Sequence, residues 1–391
     1  MSGRSRWGDF AYQPVLARQG RRMTREHQLP LALMALLLEQ EQQAPVTEML
    51  VVGGGGRRLE RDRVGLSAGL RKQLADALRK LRLDLQREEP PDLAADRRKC
   101  TLCSWRQVCN GVAASDGHLS EVSGIGAKRR EMLQELNIRG LADLAAADPE
   151  QLATAMERFG EQHGDVARTL VAQASCQRSG KPERLSSTPA LPELIAAPGV
   201  LLYDIESDPD ARHDFLHGFW CLPRGSDGRW DLAAARYQPL LVLAEHGEPR
   251  CWQRIARYVS RYDDWPVLHY GETESLALLR MAQRQGVSEQ QQARLRRRLV
   301  DVHARIRQNW RLPLNSYGLK SVASWRGFQW GQSGVDGAHA LLWWRHWQGE
   351  GPERRGSSHA LRWIFQYNRD DCRATWAVAD WLRHQDQAGG S

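Results

Sequence analysis

With 391 residues, 41% of them hydrophobic, the chain has room for two or three domains and at least one large core. Its formal net charge of +8, carried by arginine more than by lysine, favours a polyanionic partner. Residues 1–20 lack an apolar signal core, Leu29–Leu38 is too short to span a bilayer, and the seven cysteines form no secreted disulfide framework. A cytoplasmic protein without membrane contact is expected.

In chain order, Phe10–Val15 reads as a short strand. A helix follows over Thr24–Gln43, with Leu29, Leu33, Leu36 and Leu37 on its apolar side. Thr47–Val52 and Arg57–Val64 read as a hairpin around Gly53–Gly56, since no Gly-Lys-Ser/Thr follows to make a phosphate loop. Leu66–Gln86 is an amphipathic helix ended by Pro90-Pro91. Cys100, Cys103 and Cys109 then place three thiols close together, which points to zinc or an iron–sulfur cluster. Either normally takes four protein ligands, and the next cysteine is Cys176. A remnant site, a site closed by another ligand type and a chain lacking its true start all remain open.

Residues 10–110 resemble the C-terminal half of a RecB-like nuclease with a cysteine-ligated iron–sulfur staple. The resemblance rests on Tyr12–Val15, Glu26–Leu38 and the cysteine run. It implies a 4Fe–4S cluster, but the cutting residues are missing: Leu16 and Arg18 stand at the acidic-x-Lys positions, and Pro30 and Met34 where Gln and Tyr would be. Without those carboxylates nothing there holds a catalytic metal. This half is expected to be an inactive scaffold or a nucleic-acid surface.

Val122-Ser-Gly124-Ile-Gly126-Ala-Lys128 reads as a glycine turn opening a cationic helix. Glycines allow close backbone approach, and free N–H groups at a helix start suit a phosphate. The pattern resembles a helix-hairpin-helix, which implies Gly124, Gly126, Lys128 and Arg129 as nucleic-acid contacts; a hairpin used only for packing is the alternative. Residues 157–198 read as one more helix followed by a Ser/Pro/Gly-rich linker.

Gly199–Asp208 is an apolar strand whose end carries Asp204 and Glu206. Side chains alternate on a strand, so both carboxylates share one face, an arrangement that a hard cation between them stabilises. Phe215–Leu222 and Trp230–Leu232 follow as strands and Leu240–Tyr258 as a helix. A strand then ends at His269, with Glu274 in the first turn of the next helix. Asp301 ends another strand, Asn315–Val322 leads into a helix containing Lys320, and Tyr367 and Asp371 open the last helix. The fold class is α/β.

The order Asp204-x-Glu206, His269–Glu274, Tyr367-x3-Asp371 resembles the ribonuclease-H-like, DnaQ-type exonucleases fused to RecB-like halves, with Glu274 where Asp is usual. The resemblance implies that Asp204, Glu206, Glu274 and Asp371 bind two Mg²⁺ or Mn²⁺ ions, with Tyr367 orienting water, and that cutting runs 3′→5′. Asp370 is a weaker substitute for Asp371 by spacing. Asp301 is a fifth acidic candidate, although in the resembling family an Asp often follows the second motif without binding metal, and His269 reads as a pocket residue rather than a base.

Residues 294–311 hold seven arginines and could track phosphates alongside Lys320, or be a solvated face. Thirteen of the fifteen tryptophans follow residue 200 and are expected mostly in the core. The expected organisation is 1–117 (degenerate RecB-like half), 118–160 (helix-hairpin-helix), 161–198 (helix and linker) and 199–385 (exonuclease). The expected partner is nucleic acid, DNA before RNA, with a helicase or repair protein undefined. The competing reading is a catalytically inactive nucleic-acid-binding scaffold or helicase accessory protein.

Overall fold

A computed structural model describes residues 4–19, 25–54, 60–89, 93–94, 97, 100, 103, 105–209, 211–243, 245–349 and 359–388. The chain divides into two compact units, Met1–Asp92 with Pro209–His213, and Leu93–Asp208 with Asp214–Ser391. No helix among the described residues is long and apolar enough to cross a membrane.

In the first unit, β1 (Val15–Gln19), α1 (Arg25–Gln42) and β2 (Glu48–Gly54) form a parallel crossover. β2 then pairs antiparallel with β3 (Glu60–Gly65), and α2 (Ala68–Leu85) closes the unit. The hairpin lies where its sequence places it, and its tip at 55–59 is outside the described residues. The first strand begins at Val15 rather than ending there. The segment before it is tied to the end of α1 instead, because the Gln42 amide accepts from Tyr12 N (2.8 Å) and donates to Tyr12 O (3.2 Å). Leu31, Ala35, Met49, Val51 and Leu74 form the core of this unit.

The second unit opens with α3 (Arg106–Ser115), which carries Cys109. Helices α4 (Ala127–Glu135), α5 (Leu141–Ala146), α6 (Pro149–Glu157), α7 (Glu161–Gly164) and α8 (Ala167–Ser179) then surround Leu119, Leu133, Leu144, Met156 and Leu170. Gly124, at φ +92°, makes the turn before α4, and a side chain there would be strained. Asp148 caps α6, accepting from Glu150 N and Gln151 N, with Pro149 at the first helical position. β4 (Glu183–Arg184) pairs antiparallel with β10 (Trp310–Arg311), and Ala190, Leu191 and Leu194 enter the main core. The segment read as a linker is thus packed into the domain.

That domain is a five-stranded mixed sheet in the order β7-β6-β5-β8-β9. Its strands are β5 (Gly199–Asp208), β6 (His213–Pro223), β7 (Arg236–Leu241), β8 (Val267–His269) and β9 (Leu299–Asp301). β5, β8 and β9 run parallel to one another, and β6 and β7 are antiparallel. The third strand is Arg236–Leu241, not Trp230–Leu232. Trp230 forms only a bridge to Arg224 and packs edge-on against Trp376, while the edge position of β7 tolerates Pro239.

Helices α9 (Gly247–Ser260), α10 (Glu272–Arg284), α11 (Glu289–Arg298), α12 (Val302–Asn309), α13 (Leu319–Trp325), α14 (Gly337–Gly349) and α15 (His359–Ala388) complete it. The tryptophans are largely core: Trp220, Trp310, Trp376 and Trp381 on one side of the sheet, and Trp344 and Trp347 against Phe215. The arginine-rich stretch is broken by β9 and is mostly spoken for. Arg294 pairs with Asp263, Arg305 with Glu193 and Arg311 with Glu183, while Arg298 donates to the carbonyls of Trp265, Val259 and Tyr262. Four of its seven arginines therefore hold the fold together rather than forming a free phosphate-tracking face.

Candidate active site

β5 is central in the sheet, and its pleat puts Asp204, Glu206 and Asp208 on one face. Asp208 is neutralised by a two-pronged ion pair with Arg345 of α14, at 2.9 and 2.7 Å. Among the described residues Asp204 and Glu206 have no such ion pair. The last helix begins at His359 rather than at Tyr367, so Tyr367 and Asp371 lie in its third and fourth turns. There α15 brings Asp371 to Asp204 and Glu206, and one carboxylate oxygen from each of the three lies within 4.8 Å of the others.

The cluster is held by neutral donors. Asn368, fully buried, donates through Nδ2 to Asp204 Oδ2 (2.7 Å) and reaches Glu206 Oε1 (3.4 Å). Its own carbonyl accepts from the Tyr237 hydroxyl (2.8 Å). The indole of Trp330 donates to Asp371 Oδ1 (2.6 Å), and the Tyr367 hydroxyl also bonds Asp371. Lys320 places a positive charge that favours the ionised forms of Glu206 and Asp371. Its Nζ lies 5.1 Å from the Tyr367 ring centre and donates to Val335 O (2.5 Å). Ser316, Gly318, Lys320, Tyr367 and Asp371 line one open recess at the site.

The electrostatics follow from packing acids in a dry place. Burial, then Asp371, Glu206 and Glu274, hold the Asp204 carboxyl well above the usual range. Glu206 is raised by burial and Asp371, against the pull of Asn368 and Lys320. Burial pushes Asp371 up to about 6, although Trp330 and Lys320 favour its charged form. Burial pushes Glu274 up to about 7.

Such carboxyls take up protons in the folded state that the unfolded chain releases. Their contribution to stability is therefore largest at low pH and is lost as pH rises through their folded values. The metal-free protein is expected to melt at a lower temperature at pH 8 than at pH 5.5, and Asp371→Asn should flatten that slope. His118 and His269, whose charged forms are disfavoured by burial, act in the opposite sense, so the wild-type-minus-variant difference is the quantity to measure calorimetrically. A wild-type-minus-variant difference that falls as the pH is lowered from 8 to 5.5 would refute the assignment.

The remaining acids separate clearly. Glu274, in the first turn of α10, falls outside the group of three, yet its Oε2 is buried without a hydrogen-bond partner. Asp301 caps α12 through Ala304 N (3.1 Å) and holds Gly271 N (3.0 Å), which is a structural task. Asp370 turns away to Arg369, Arg373 and Gly331 N, so it does not substitute for Asp371. His269 Nδ1 lies 2.6 Å from Gly271 O and shapes the loop before α10.

Elsewhere, Gly124 and Gly126 frame the turn before α4, and Arg129 Nη1 donates to Gly124 O (2.6 Å). Lys128 is exposed beside it. Among the described residues Cys100, Cys103 and Cys109 form no ligand group. Asn368 and Trp330 were missed in the sequence. An Asn between Tyr367 and Asp371 and a lone Gly218 inside an apolar strand were the available signals.

Residues 201–383 match the family model RNase_H_2, described as belonging to the RNase_H superfamily. The C-terminal domain is ribonuclease-H-like. No curated protein and no solved structure matches the chain.

The residues of this domain fit a divalent cation. Three carboxylates, Glu206 and Asp371 buried and Asp204 half-buried, converge without a neutralising ion pair among the described residues, and Glu274 adds an orphaned buried oxygen. An all-oxygen donor set suits Mg²⁺ or Mn²⁺ rather than zinc.

Proposed function

We propose that the ribonuclease-H-like domain is a metal-dependent nuclease that hydrolyses phosphodiester bonds, acting as a 3′→5′ exonuclease with DNA as the first substrate to test. The observation that carries this reading is the convergence of Asp204, Glu206 and Asp371, held in register by Asn368. Asp204, Glu206 and Asp371 would hold a first ion, and Glu274 would complete a second position. Divalent cations there would supply Lewis-acid activation of water and charge neutralisation on the phosphoryl oxygens.

The chain's own residues do the rest. Asn368 keeps Asp204 and Glu206 at a fixed separation, and Trp330 orients the Asp371 carboxylate. Tyr367, clamped between Lys320 and Asp371, offers a hydroxyl that can orient the attacking water. Its phenol is pushed up by burial, so at neutral pH it remains a proton donor rather than an anion. Lys320 provides the positive charge that a phosphate approaching this recess would meet.

We assign no hydrolysis to Met1–Asp92, where no acidic ligand group is found among the described residues. The test is digestion of oligonucleotides labelled at the 3′ or 5′ end, with Mn²⁺, by the wild type and by Asp204→Asn. A ladder shortened from the 3′ end and absent in the variant is expected. Equal cleavage by both proteins, or release from the 5′ end first, would overturn the reading or its polarity respectively.

A further inference from the structure

We propose that the groove between the α4–α8 helical cluster and the ribonuclease-H-like domain is the track that leads a single strand of nucleic acid into the carboxylate site. This proposal rests on the nuclease reading for what happens at the end of the track, not for the binding itself.

The two walls are built as one body. Gln173 of α8, buried, donates to Leu312 O (2.9 Å) and Leu314 O (3.2 Å) and accepts from the Tyr317 hydroxyl (3.2 Å). The Tyr317 hydroxyl also accepts from Leu312 N (2.7 Å), and Tyr270 donates to Tyr317 O (2.5 Å). Asn315 donates to Glu121 (2.5 Å), and Gln177 to Glu121 O (2.8 Å). A buried polar seam of this kind fixes the cluster against the segment 312–318, so the groove keeps its shape.

Its chemistry is one-sided. The groove has a volume of about 630 Å³ and is lined by Arg129 and Gly124 on one wall and by Arg307 and Arg311 on the other, with no Asp or Glu in the lining. Arg311 is engaged by Glu183, but Arg307 is exposed and has no carboxylate partner among the described residues, and Arg129 Nε is buried without an acceptor. An acid-free, arginine-lined trough in a protein of net charge +8 suits a chain of phosphates.

The groove also leads somewhere. Ser316 and Gly318 line both this groove and the recess that holds Lys320, Tyr367 and Asp371. A strand lying along the arginines therefore continues, across the Ser316–Gly318 backbone, to the reacting position. The scale points to the substrate: a cavity of this volume is the size of a small-ligand cleft, which suits an unpaired strand better than a duplex.

The experiment uses the full chain, with Arg307→Glu on one wall and Thr169→Glu at an exposed lining position on the other. Binding of a fluorescent single-stranded oligonucleotide to each variant in the Asp371→Asn background is followed by anisotropy across salt. Arg307→Glu should weaken binding by about tenfold or more, and Arg307→Ala should lower the salt slope by about 0.7. In the catalytically intact background both Glu variants should raise KM for the oligonucleotide while leaving hydrolysis of a small nitrophenyl phosphodiester unchanged.

Wild-type binding by both Glu variants, or a parallel loss on the small ester, would overturn the track. A duplex bound as tightly, and weakened as much by Arg307→Glu, would overturn the single-strand assignment. If the wild type cleaves neither substrate while Arg307→Glu still weakens binding, the nuclease reading fails and the track stands.

Discussion

Asp371→Asn is expected to remove hydrolysis, by about 10³-fold or more, and at the same time to raise the melting temperature of the metal-free protein at pH 8. The two effects have one cause. Burial holds the Asp371 carboxyl near 6 against an ordinary 3.8, so at pH 8 the fold carries a charge it would shed if it could. Each pH unit of that displacement is worth about 1.4 kcal/mol, which puts the upper limit of the gain near 3 kcal/mol, or roughly 6–12 °C at about 2–4 °C per kcal/mol for a domain of this size. The amide keeps an oxygen for the Trp330 indole and turns a donor towards Asp204 and Glu206. What it cannot do is contribute an anionic ligand to a cation, and losing several kcal/mol of transition-state stabilisation accounts for the fall in rate.

A thermal scan with and without Mn²⁺ checks both halves. Wild type should be stabilised by the ion and the variant should not, because an ion that binds only the folded state shifts the melting point by mass action. If Asp371→Asn lowers the metal-free melting temperature, the strain reading of the cluster is wrong. An active variant would remove Asp371 from catalysis.

The trade of stability for ligand geometry also explains which parts of the site could be read in advance. Asp204 and Glu206 were legible because strand alternation alone puts i and i+2 on one face. Asp371 was legible through its spacing from Tyr367 and its place after the strands, and the structure brings it to the other two. The same alternation also reaches Asp208, yet only the folded chain shows that Arg345, far away in sequence, neutralises it. Glu274 marks the limit of pattern. Its position in the first turn of α10 was read correctly, but whether its longer side chain joins the cluster depends on the loop geometry set by His269, Gly271 and Asp301.

The arginine-rich stretch shows the same limit from the other side. Composition counts charges, and the carbonyls of Val259, Tyr262 and Trp265 that consume Arg298 belong to a different helix and loop. The third strand was misplaced for a local reason: a proline in Arg236–Leu241 reads as a breaker unless the strand is known to be an edge.

Gly218→Ala should be the most damaging small substitution near the site, and its cost should fall when Asn368 is shortened. A Cβ at position 218 would lie 1.6 Å from Asn368 Oδ1 and 2.9 Å from the Tyr237 hydroxyl. Asn368 cannot yield without dropping its bond to Asp204, because its amide is held between Tyr237 on one side and the carboxylates on the other. The methyl group therefore acts on the cluster without touching it. Overpacking of this kind typically costs 1–3 kcal/mol in stability. Here it should also reduce kcat by about 10²-fold, since a shift of about 1 Å in a positioning group is enough for that.

The check is a double-mutant cycle of Gly218→Ala with Asn368→Ala, read in melting temperature and in Mn²⁺-dependent hydrolysis. Asn368→Ala alone frees Asp204 from its donor and should itself weaken metal-dependent stabilisation. Adding Gly218→Ala to it should then cost little, because the atom that the methyl group strikes is gone. Additive losses would mean that the glycine serves β6 itself, where it sits between His217 and Phe219 in register with Pro239. A strongly non-additive cycle would show that a backbone position on the neighbouring strand, with no chemistry of its own, sets the spacing of the carboxylates through one buried amide.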